Sequence, residues 1–68
     1  MEEAVRLTVV PNEGEAEMVC QMLRAEGIRC AHRATDISGE LMGQFGGWRE
    51  ILVDRADLTT AQGLLPDE

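Results

Sequence analysis

The run NEGEAEMVCQMLRAEGIRC, Asn12 to Cys30, leaves a chain like this little choice of fold, because it reads as one capped amphipathic helix delivered straight into a strand. Asn12 sits at an N-cap position and Glu15 follows three residues later, the spacing of a capping box. Glu13 and Glu17 lie near the positive end of the helix dipole. Ala16, Val19, Cys20 and Leu23 fall on one stripe at i, i+3, i+4, i+7, and Met18, Met22 and Ala25 are expected to widen it. Glu17, Gln21 and Arg24 take the wet side. Gly27 supplies a left-handed helix ending, with Ile28 as its hydrophobic partner.

Elements on either side of this unit follow from the same rules. Ala4 to Val10 alternates Val5, Leu7 and Val9 against Ala4, Arg6 and Thr8, the period of a half-buried strand, and Pro11 stops it. Ile28 to Arg33 alternates again, with Ile28, Cys30 and His32 expected toward the helix and Arg29, Ala31 and Arg33 away from it. The connection Ala34 to Gly47 is long for a hairpin and carries Gly39, Gly43, Gly46 and Gly47 among Ile37, Leu41, Met42 and Phe45. Trp48 to Asp54, WREILVD, reads as a central strand on the strength of its continuous Ile51-Leu52-Val53 run. Asp54 can cap a last helix whose stripe is Leu58, Ala61 and Leu65, with Leu64 flanking it.

The order βαββα in one domain, residues 1–68, predicts an α+β, ferredoxin-like sandwich that lacks the last strand. A right-handed crossover from strand one to strand two leaves room for strand three between them, giving a three-stranded antiparallel sheet of order 1-3-2 with two helices on one face. The outer edge of strand one, Val5 to Val10, is then left with unpaired backbone groups.

Composition excludes several functions. A formal charge of −7 repels a nucleic-acid backbone and an anionic bilayer alike. MEEAVRLTVV lacks the features of a signal peptide and no stretch approaches spanning length, so a cytoplasmic location and reduced Cys20 and Cys30 thiols are expected. In 68 residues with Phe45 and Trp48 as the only aromatics, the core is thin, which makes self-association attractive.

Helix one through strand two, EAEMVCQMLRAEGIRC, and the later run REILVDRADLTTAQGLL resemble a small bacterial family of prokaryotic signal-transducing proteins, a domain of unknown function similar to the nitrogen-regulatory ferredoxin-like proteins. The resemblance runs from Ala4 to Leu65 and is carried by Glu15-Ala16-Glu17, Leu23, Gly27-Ile28, Val53, Ala61 and Leu64-Leu65. These are packing and capping positions, so what the resemblance implies is a fold and a regulatory or binding module whose strand two to strand three loop engages partners; it assigns no catalytic residue.

Chemistry-bearing groups are few. Cys20, Cys30 and His32 are the soft ligands, but C-x9-C-x-H matches no common zinc spacing, and two core thiols with a strand-end histidine account for them. The glycines of SGELMGQFGG lack the Gly-Lys-Ser/Thr ending of a phosphate loop and run into a strand, so turn geometry explains them. No nucleophile signature is present, the carboxylates gather at helix starts and termini, and the reading is of a chain that is not an enzyme and carries no metal or cofactor. Two accounts stay open for Ile37, Leu41, Met42 and Phe45: a flap that completes the core, or a surface that contacts a partner. Arg6, Arg29 and Arg33 are expected on the open sheet face, joined by Trp48 and Glu50 if Ile51 and Val53 face the helices. That grouping is either a recognition hot spot or a surface ion-pair cluster. The expectation is therefore a non-catalytic interaction or signal-transducing module with a protein partner or a second copy (a homodimer) and no nucleic acid or membrane, its site drawn from Arg29, Arg33, Ile37, Leu41, Met42, Phe45 and Trp48. The alternative is a sensor for a small anionic metabolite near Arg29, Arg33 and Trp48.

Overall fold

The computed structural model describes residues 2–35 and 48–65. The elements are strand β1 (Ala4–Val10), helix α1 (Glu13–Ala25), strand β2 (Cys30–Ala34), strand β3 (Arg49–Asp54), a short 3-10 turn (Arg55–Asp57) and helix α2 (Leu58–Leu64). β3 lies between β1 and β2 and is antiparallel to both, giving the order β1-β3-β2. Both helices pack on one face, so this is the α+β, ferredoxin-like arrangement.

The two ends of α1 are built as their residues dictate. The Asn12 side-chain oxygen accepts from the Glu15 backbone N–H at 2.8 Å, which satisfies one of the orphan donors of the first turn. At the other end Gly27 has φ +84°, a conformation that side chains with a Cβ rarely adopt. This lets Gly27 N–H reach the Arg24 carbonyl at 2.9 Å and Ile28 N–H reach the Leu23 carbonyl at 3.0 Å, the paired bonds of a Schellman ending. Ile28 and Leu23, the apolar pair that accompanies such an ending, are both buried.

The core comprises Val10, Ala16, Cys20, Leu23, Ile28, Cys30, Ile51, Val53 and Ala61. Leu23, Ile51, Val53 and Cys20 are its largest fully buried side chains, and burial of each of the three aliphatic ones contributes about 1.5–3 kcal/mol. Met18 departs from expectation: it stays 70% exposed. Ala25 is exposed as well, and of the three residues expected to widen the stripe only Met22 packs against the core. α2 contributes Ala61 fully buried, with Leu58 and Leu64 against the core, whereas Leu65 falls just past the helix as its C-cap.

β1 corrects the simple alternation. Arg6 pairs with Leu52 and Thr8 with Ile51, so Leu7 is the extra residue of a β-bulge. A bulge shifts every later side chain to the opposite face. Val5 and Leu7 accordingly pack against the core, while beyond the bulge it is Val10 and not Val9 that is buried. Val9 instead stands opposite Glu50. β1 pairs with β3 alone, so among the described residues its outer edge has no partner strand.

The cysteines are not reduced thiols. Cys20 of α1 and Cys30 of β2 form a disulfide, their Cα atoms 5.3 Å apart. The helix stripe and the helix-facing side of β2 aim the two side chains at one point in the core, and proximity accomplishes what the sequence spacing did not announce. Among the described helices none is long and apolar enough to cross a membrane.

Candidate functional site

Register fixes which side chains share the sheet face away from the helices. Ile51 and Val53 are fully buried toward the helices, so Glu50 and Leu52 of β3 point the other way. Arg6 is opposite Leu52, Val9 and Arg33 are opposite Glu50, and Ala31 is opposite Leu52. The open face is thus a small apolar field of Val9, Ala31 and Leu52 around three charges.

Those charges form one closed unit. Arg6 Nε donates to Glu50 Oε1 at 2.9 Å and Arg6 Nη2 lies 2.8 Å from the same oxygen, while Arg33 Nε donates to Glu50 Oε2. Glu50 is only 4% exposed, with the Arg6 and Arg33 guanidinium groups on its two carboxylate oxygens. Arg33 first, and Arg6 after it, hold the Glu50 carboxyl below the usual glutamate range. The two arginines keep 55% and 69% of their side-chain surface exposed.

A second network lies under α1. His32 side chain is 8% exposed and its Nε2 is 2.8 Å from Glu17 Oε2. Its Nδ1 receives Arg49 Nε at 3.2 Å and faces Arg49 Nη2 at 3.0 Å. A guanidinium can only donate, so Nδ1 carries the lone pair and the ring proton sits on Nε2, directed at Glu17. The hydrogen bond from His32, ahead of the nearby positive charges, lowers the Glu17 carboxyl below its ordinary range. His32 thus lies helix-side, as expected, but as part of a strand-to-helix tie and not as a metal ligand: the cysteines that would have completed a ligand set are bonded to each other. Among the described residues no cluster of His, Cys, Asp and Glu has the make-up of a metal site.

The structure separates the expected site residues. Arg33 is bound to Glu50. Trp48 is half-buried; its carbonyl accepts from Thr35 N–H at 3.0 Å, which extends the β2–β3 ladder by one pair and sets it diagonal to Arg33. Arg29 lines a depression of about 510 Å³ together with Arg24, Gly27, Ile28 and Cys30. Ile37, Leu41, Met42 and Phe45 lie outside the described residues. Sequence reasoning missed Arg49 and Arg24, which bond to His32 and to the Cys30 carbonyl respectively; the alternation of WREILVD, which sets Arg49 beside Ile51 on the helix side, was the available signal for the first.

Comparison of the chain with protein-family models, curated proteins and solved structures finds no match.

Proposed function

We propose that this chain is a non-catalytic interaction module of the signal-transducing type, associating with a second copy of itself through the open sheet face and the free edge of β1, with the β2–β3 connection as a further contact element. The observation that carries the reading is the closed Arg6–Glu50–Arg33 unit set among Val9, Ala31 and Leu52. Covering an unpaired charge is costly, whereas a carboxylate already holding two guanidinium groups can be covered at a much lower penalty. Among the described residues the sheet has helices on one face only and no strand on the outer edge of β1, and a thin core gains from covering such backbone and apolar surface. The resemblance to the bacterial signal-transducing family supports the same reading.

A sensor for a small anion near Arg29, Arg33 and Trp48 is less well supported, because Glu50 already occupies Arg33. A cytoplasmic setting accords with the bridge between Cys20 and Cys30 if that bridge is redox-responsive, since static disulfides are rare in a reducing compartment.

Size-exclusion chromatography with light scattering tests the proposal. The chain should run as a dimer, and Leu52→Lys, which adds a cation to the centre of the face, should give a folded monomer. A wild-type protein that stays monomeric at high concentration overturns it.

A further inference from the structure

The depression at the C-terminal end of α1 opens beside the disulfide. Cys30 lines it and is 8% exposed, whereas Cys20 is fully buried. The depression is shallow and open, with a volume of about 510 Å³. Two guanidinium groups flank it. Arg24 Nη2 donates to the Cys30 carbonyl at 2.9 Å, which anchors that group above the strand backbone and uses one of its five N–H donors. Arg29 is exposed and makes no hydrogen bond or ion pair among the described residues. On a chain of net charge −7 this is a local concentration of positive charge next to the disulfide.

We infer that this depression is a site of reversible S-thiolation at Cys30 by a small thiol that carries carboxylates, the chemical class of glutathione. The carboxylates pair with Arg29 and Arg24 in charge-assisted hydrogen bonds. The thiolate attacks Sγ of Cys30, the cysteine that lines the depression. A new sulfur–sulfur bond forms there as the Cys20–Cys30 bond breaks, and the electron pair of the broken bond leaves on Cys20 Sγ, which takes a proton from water. A second molecule of the thiol then attacks the ligand's sulfur, releases the small-molecule disulfide and leaves Cys30 as a thiol. The protein gains two electrons and two protons; two thiols are oxidised to one disulfide. This inference does not depend on self-association: a monomer can carry it.

The test uses the full oxidised chain and two probes of opposite charge, glutathione and cysteamine, at equal thiolate concentration. Samples are acid-quenched over time, free thiols are alkylated, and masses are read intact and by peptide. The whole-molecule charge favours the cationic probe, so a faster reaction with glutathione and an adduct on Cys30 is the expected result. Arg29→Gln should slow glutathione about tenfold, the loss of one charge-assisted bond, and leave cysteamine no slower. Arg29→Lys should retain the preference. An equal or faster reaction with cysteamine in the wild type overturns the inference, as does an adduct on Cys20 or an Arg29→Gln variant that slows both thiols alike.

Discussion

Opening the Cys20–Cys30 bridge without removing any atom, by reduction with a phosphine, isolates what the bond contributes to the fold. The bonded residues are 10 apart in sequence. In the chain-entropy description, a closed loop of that length removes about 9 cal/mol/K from the unfolded ensemble, or about 2.7 kcal/mol at 25 °C. A domain of 68 residues has a total stability of roughly 3–10 kcal/mol, so the bridge contributes a quarter or more of it. At this size about 1 kcal/mol moves the midpoint by roughly 4–8 °C, so reduction should lower Tm by about 10–20 °C.

Thermal melts followed by circular dichroism, with and without reductant, read this directly. Urea titrations should show the midpoint falling while the slope rises slightly, because the reduced chain exposes more surface on unfolding. A drop in Tm of less than about 4 °C, equivalent to about 1 kcal/mol, would refute the reasoning. It would mean that packing of Cys20 and Cys30 between α1 and β2 supplies the stability by itself and that the loop is already restricted in the unfolded state.

Three further outcomes are expected. The Glu50 carboxyl is held below its reference of 4.5 by Arg33 and Arg6, so its contribution is present above that reference and is lost as pH falls through the folded value. Glu50→Gln should therefore lower Tm at neutral pH and flatten the acid limb of Tm against pH, with Glu17 and Asp54, also lowered, sustaining the remainder; an unchanged acid limb would show that the ion pairs are idle. Nitrogen NMR of the neutral His32 ring should find the proton on Nε2, and a proton on Nδ1 would contradict the Arg49 contact. Gly27→Ala and Gly63→Ala should differ in sign: neither added Cβ meets an atom within 4 Å, but only Gly27 has positive φ, so denaturant titration should show the first losing about 1–2 kcal/mol and the second gaining about 0.5–1 kcal/mol.

The fold was legible wherever one local rule acted alone. Asn12, the Ala16–Cys20–Leu23 stripe and Gly27 each follow from helix-end or helix-face chemistry, and the structure places all of them as that chemistry requires. β1 was legible only as far as Leu7. The bulge there has no marker such as glycine, so alternation carried on past it predicted Val9 in the core where Val10 is found. Met18 shows the opposite limit: it fits an apolar stripe by angle, yet two helices on a three-stranded sheet do not cover that far round the helix.

The candidate site divides along the same line, with charge as the deciding quantity. Alternation alone brought Arg6, Arg33 and Glu50 to one face, because face is a parity property of strands. Which arginines are occupied is a property of distance: one carboxylate has two oxygens and takes two guanidinium groups, and Arg6 and Arg33 are the pair that the neighbouring strands deliver to Glu50. Arg29 has no such partner among the described residues, and with Arg24 it stands next to Cys30 instead. Two kinds of surface follow from six arginines on an acidic chain. One has its carboxylate fully paired and keeps a single net positive charge across Arg6, Glu50 and Arg33, and the other holds positive charge beside the Cys20–Cys30 bond. Since β2 carries both Arg33 and Cys30, opening the bond changes the strand that also presents Arg33, and under the proposed self-association the redox state of Cys30 should shift the dimer equilibrium measured by light scattering: a reduced chain that dimerises as tightly as the oxidised one would show the two surfaces to be independent.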